Sequence, residues 1–109
     1  MIENEIISGE ENKRVYLTVT IDDEIVNSKL RSESIEYEWS VEKLESDEMI
    51  PLTESIYNTY QVKEIETADN NLSSTLTVFS GNTQVYQCTV YNTLNGRRTG
   101  QPSKVFTVS

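Results

Sequence analysis

The chain has 109 residues, 36% of them hydrophobic, with 18 acidic and 9 basic side chains and a net charge of −9. That length suits a single domain over residues 1–109 and leaves no room for a second. The acidic balance disfavours nucleic acid, whose phosphates need clustered Lys and Arg, and no apolar run approaches the ~18 residues of a membrane-spanning helix, so no membrane insertion is expected.

The opening, Met1-Ile2-Glu3-Asn4-Glu5-Ile6, has neither a basic n-region nor a long apolar h-region, and no signal peptide is expected. Val15, Leu17, Val19 and Ile21 alternate with Tyr16, Thr18 and Thr20, the period of a strand with one buried face. Asp22-Asp23-Glu24 ends it, and Ile25 to Ser34 reads as a long polar loop with a short extended piece. The clearest strand follows, with Ile35, Tyr37, Trp39 and Val41 alternating with Glu36, Glu38, Ser40 and Glu42. Leu44 to Leu52 reads as a turn and an irregular edge, because Pro51 is tolerated only at an edge or a strand start. Between Tyr57 and Ile65, the residues expected to face inward are Tyr60, Val62 and Ile65.

Ala68-Asp69-Asn70-Asn71 is a turn cluster, Thr75 to Phe79 a short strand, and Ser80-Gly81-Asn82 its end. Val85 to Asn92 is a further strand with Tyr86, Cys88 and Val90 on one face. Asn95-Gly96 is the strongest hairpin signal in the chain, since both positions accept positive φ. Lys104 to Val108 closes the fold as a final strand. Seven to eight short strands without helical periodicity predict an all-β sandwich of two antiparallel sheets.

The chain contains no histidine, which removes the usual general base near neutral pH and every Ser-His-Asp or Cys-His triad. Cys88 is the only cysteine, so no internal disulfide can form, as suits a reducing compartment. Its inward position predicts a buried, inert thiol. Asp22-Asp23-Glu24, Glu45-Asp47-Glu48 and Asp69-Asn70-Asn71 offer loop oxygens without EF-hand spacing and read as solvated carboxylates. The sequence therefore predicts a non-enzymatic protein with no cofactor and no metal. All the acids lie between Glu3 and Asp69, leaving Arg97, Arg98 and Lys104 as the only charges thereafter. Asn95, Gly96, Arg97 and Arg98 are candidate partner-binding residues at the hairpin tip, where arginine grips carboxylates or phosphates with paired hydrogen bonds. Tyr91 joins them, with Tyr16 and Tyr57, as a candidate for an exposed contact face.

Trp39, followed by Tyr86-Gln87-Cys88, resembles the centre of an immunoglobulin-superfamily domain. The resemblance covers nearly the whole chain. It implies Trp39 on strand C, Leu76 on strand E, and Tyr86 and Cys88 on strand F, with Leu17 or Val19 standing where strand B would carry the second cysteine. Trp39, Tyr86, Cys88, Leu17, Val19 and Leu76 are thus the expected core. Asn82 and Gln84 stand where the family usually has an acid and a glycine before the strand F tyrosine, which puts that turn in question. Ile35-Glu36-Tyr37-Glu38-Trp39-Ser40-Val41 and Val90-Tyr91-Asn92-Thr93-Leu94 are similar to segments of Ig-like domains in tailed-phage virion proteins, such as highly immunogenic outer capsid decoration proteins.

That narrower resemblance implies a display or adhesion module of a phage virion, made in host cytoplasm and attaching weakly to a bacterial surface or to glycans. The alternative is an extracellular cell-adhesion Ig domain of a larger receptor, binding a protein through the F–G loop and a sheet face. Both imply a protein or glycan partner on a cell or virion surface, and neighbouring domains in a longer chain.

Overall fold

The computed structural model describes residues 3–7, 13–20, 35–69, 72–81, 83–94 and 97–109. These residues form eight strands: β1 Glu3–Ile7, β2 Arg14–Thr20, β3 Ile35–Glu42, β4 Met49–Pro51, β5 Val62–Thr67, β6 Ser73–Phe79, β7 Gln84–Leu94 and β8 Arg97–Val108, with apolar and polar residues alternating most clearly in β2 and β3. A 3-10 turn, Glu54–Ile56, stands between β4 and β5. The strands make two sheets, ordered β1-β8-β7-β3-β4 and β2-β6-β5. With β2, β6 and β5 in one layer and β1, β8, β7, β3 and β4 in the other, this is an immunoglobulin-like β-sandwich without a disulfide.

Three details differ from the sequence reading. β1 is an additional strand, and it pairs with β8 in parallel, whereas all other pairings are antiparallel. Glu3-Asn4-Glu5-Ile6-Ile7 lacks the period-two signal, so only its partner strand reveals it. The expected irregular edge holds a short ordered strand, β4, with Pro51 opposite Ser40 on the outermost strand of the sheet. The final strand begins at Arg97 rather than Lys104. Gly100 and Pro102 obscured its first half in the sequence. Pro102 is accommodated because β1 pairs only with Lys104 to Val108, and a register shift falls beside it between Cys88 and Thr89.

The core follows the alternation. Leu17 lies opposite Leu76, Trp39 opposite Cys88 and Val41 opposite Tyr86, and all six are buried. Phe106 lies opposite Tyr86 and stacks near Trp39, with ring centroids 5.9 Å apart. The indole Nε1–H of Trp39 donates to Ser74 Oγ at 3.0 Å. A buried indole N–H needs an acceptor, and this one lies on the opposite sheet, so β3 and β6 are tied by a hydrogen bond. Cys88 is fully buried and forms no disulfide. Cys88→Ala is therefore expected to cost about 1–2 kcal/mol, a packing loss alone. A wild-type urea midpoint unchanged by reductant would agree, and a midpoint lowered by reductant would contradict it.

β5 solves a phase problem. Val62 and Ile65 both pack on the core, yet an odd spacing puts two strand residues on opposite faces. A register shift between Val62 and Glu64 resets the phase, so Val62 meets Val78, Ile65 meets Leu76, and Glu64 stays exposed. Gln61, at φ 60°, turns the chain into this strand, and its carbonyl accepts the Phe79 N–H at 2.9 Å.

Candidate binding site

Two regions compete as a binding surface: the sequence-predicted tip between β7 and β8, and a groove beside β5. At the tip, Leu94 pairs with Arg97, which leaves a two-residue connection. Asn95 and Gly96 themselves lie outside the described residues. Arg97 and Arg98 are the first residues of β8, in register with Leu94 and Thr93, and the structure describes their backbone alone. Tyr91 sits three positions back from Leu94 on β7, between Glu36 of β3 and Gly100 of β8. Its ring lies directly against Gly100, where a Cβ would collide with Cδ1 and Cε1. Half-buried, Tyr91 has a packing role over this glycine in addition to any contact outside, an arrangement that strengthens a strand at its weakest residue.

The other two surface tyrosines separate. Tyr16 is 63% exposed on the outer face of β2. Tyr57 is half-buried and lines an open groove of about 410 Å³ with Glu54, Asn58, Val62, Lys63, Glu64 and Ile65. That volume lies within the roughly 300–1,000 Å³ of small-ligand sites. Backbone hydrogen bonds fix its floor: Tyr57 N–H to the Glu54 carbonyl at 3.3 Å, Tyr60 N–H to Ile56 at 3.2 Å and Val62 N–H to Tyr57 at 2.9 Å. Burial first, and then the Glu54 carboxylate, raises the Tyr57 pKa, so its phenol remains an O–H donor at neutral pH. Lys63 Nζ and Glu64 Oε1 lie 3.7 Å apart at the rim, a partly exposed pair too weak to close the groove.

The groove thus combines one aromatic face with two carboxylate acceptors, an amide and an ammonium. The sequence contained every lining residue but no spacing that grouped them. The 3-10 turn and the β5 bulge bring Glu54, Tyr57 and Asn58 beside Lys63 and Glu64, and neither device has a sequence motif here. A smaller cleft of about 170 Å³ lies among Glu42, Lys43, Leu44, Glu45, Thr83, Gln84 and Val85.

Of the acidic loops, Glu45, Asp47 and Glu48 are exposed, while Asp22-Asp23-Glu24 and Asn70-Asn71 fall outside the described residues. Among the described residues, no three acidic or sulfur side chains converge on a point that could hold a metal ion. No described helix is long and apolar enough to cross a membrane. Searched against protein-family models and curated proteins, the chain matches none.

Proposed function

We propose that this sandwich is a non-enzymatic attachment module that binds glycans weakly, displayed on a phage virion and directed at a bacterial surface. The groove at Tyr57 carries the reading. A tyrosine face flanked by Glu54, Asn58 and Glu64 offers a sugar ring an apolar platform, with hydrogen-bond acceptors and donors around it. Two carboxylates against one ammonium favour neutral or amino-bearing sugars and repel acidic ones. The disulfide-free core supports assembly in a reducing cytoplasm, and the strand similarities to virion Ig-like domains agree with that origin.

The second reading, protein recognition through the tip, rests on the Leu94–Arg97 register, which sets Arg97 and Arg98 beside a two-residue connection. Glycan arrays and bacterial pull-downs with two variants separate the readings. Tyr57→Ala is expected to abolish glycan retention with only a modest stability loss, because Tyr57 is half-buried and packs at the edge of the core rather than within it. Arg97→Ala with Arg98→Ala is expected to weaken only a protein partner. Glycan binding unchanged in Tyr57→Ala would overturn the groove assignment.

A further inference from the structure

The outer edge of β2 has no strand partner among the described residues. The other edge of the same sheet, β5, is guarded by a bulge and by Lys63, Glu64 and Glu66. In the facing sheet, β4 is only three residues long and ends in Pro51. Bulges, charges, proline and shortness are the usual devices that keep an edge from pairing with another chain. β2 is the least guarded edge: Arg14-Val15-Tyr16-Leu17-Thr18-Val19-Thr20 is seven residues long, unbulged and free of proline, and its one charge is Arg14 at its first residue. It also presents Tyr16, 63% exposed, on its outer face.

The hydrogen-bond phase of this edge can be derived. Ser80 N–H donates to the Lys13 carbonyl at 2.9 Å, one step beyond the Arg14–Phe79 pair. Lys13–Ser80 is therefore a hydrogen-bonded pair, and alternation makes Val15–Val78, Leu17–Leu76 and Val19–Ser74 the others. Arg14, Tyr16, Thr18 and Thr20 consequently direct their N–H and C=O groups outward. The 3.0 Å contact between the Thr18 and Thr75 hydroxyls fits the closer, non-hydrogen-bonded kind of pair.

From this we infer that the β2 edge pairs with the β2 edge of a second copy of the chain. The pairing is antiparallel about a two-fold axis at Leu17, and it joins two three-stranded sheets into one. The sequence around Leu17 is self-complementary in that register. Tyr16 meets the partner's Thr18 and Arg14 meets the partner's Thr20, so all the outward backbone groups of β2 find partners at once. Shifting the strands by two residues leaves some unpaired, and a one-residue shift is excluded by the phase. Val15 meets the partner's Val19 on the inner face, and Tyr16 with Thr18 is an aromatic–β-branched cross-strand pair, both favourable.

Charge agrees. Copies carrying −9 each repel in general, but β2 holds only the basic Arg14. Arg14 of one strand lies opposite the partner's Thr20, at the far end of the seam from the partner's own Arg14, so the strand's one charge meets no like charge. A seam of one strand pair is small beside the roughly 1,200 Å² of a stable interface, so the dimer forms only at high concentration. Two copies in one assembly would double the attachment sites and raise avidity, yet the pairing does not depend on what those sites bind.

Sedimentation velocity between about 10 μM and 1 mM, the range that reads weak association, tests the inference. The wild-type sedimentation coefficient is expected to rise from monomer to dimer across that range. Thr18→Pro removes an outward N–H that has no strand partner among the described residues, and is expected to remain monomeric throughout. Thr18→Lys, with its backbone intact, sets two ammonium groups diagonally across the seam and is expected to do the same. A wild type that stays monomeric at the top concentration overturns the inference, as does a Thr18→Lys variant that dimerises like the wild type.

Discussion

Trp39→Ala is expected to remove about 3–5 kcal/mol of stability, the usual range for emptying a large aromatic site in a core. Domains of this size have only about 5–15 kcal/mol in total. Three losses combine at this position. The ring is 97% buried, at 3% relative exposure, and its cavity would open at the centre of the sandwich. Phe106 loses its stacking neighbour. Ser74 Oγ loses the indole donor, keeping only its 3.2 Å contact with Thr67 Oγ1. Urea denaturation followed by circular dichroism checks the result, and Trp39→Phe separates the terms. The phenylalanine variant restores most of the packing but not the inter-sheet hydrogen bond. It should recover most, though not all, of the stability. A Trp39→Ala loss below about 1 kcal/mol would place the core elsewhere.

Tyr86→Phe is expected to cost about 1–3 kcal/mol, because it strands a buried acceptor. The Tyr86 hydroxyl donates to the Tyr60 carbonyl at 2.6 Å, deep in the fold. The bond reaches from β7 across to the segment before β5. The bond therefore anchors the chain between the 3-10 turn and β5, which also floors the groove.

The same phenols give a pH signature. Burial, with Cys88 contributing second, pushes the Tyr37 pKa up to about 12, and burial pushes Tyr86 up further still. A phenol whose folded pKa exceeds its ordinary value near ~10 supports the folded state fully below that value. The contribution fades as pH rises through about 10 to about 12 for Tyr37 and beyond for Tyr86. Stability should fall across that window, and less steeply in Tyr86→Phe, which has one such group fewer. Equal slopes in wild type and variant would contradict the burial of Tyr86.

What was legible in the sequence depended on periodicity. Leu17, Val19, Trp39, Tyr86 and Cys88 announced themselves through alternation and the Trp…Tyr-x-Cys spacing, and Leu76 only through the resemblance those residues carry; all six are buried. The two-residue hairpin after Leu94 was legible because Asn95-Gly96 carries its own turn chemistry. Tertiary devices were not. β1 exists only because β8 offers it an edge, and the first half of β8 survives its glycine because Tyr91 covers it. The β5 bulge changes which residues share a face, so Tyr57 and Glu64, though only seven residues apart, carry no periodicity that would put them on one surface. Tyr91 illustrates the difference: a tyrosine expected at a contact face also serves its own sheet.

The proposed attachment site can be tested most directly by titrating the isotope-labelled protein with neutral and acidic bacterial-surface oligosaccharides and mapping amide shifts by NMR. The account predicts saturable shifts at Glu54, Tyr57, Asn58 and Lys63 to Ile65 with neutral sugars, and weaker ones with acidic sugars. Shifts confined to residues 91–98, or none at millimolar sugar, would contradict it.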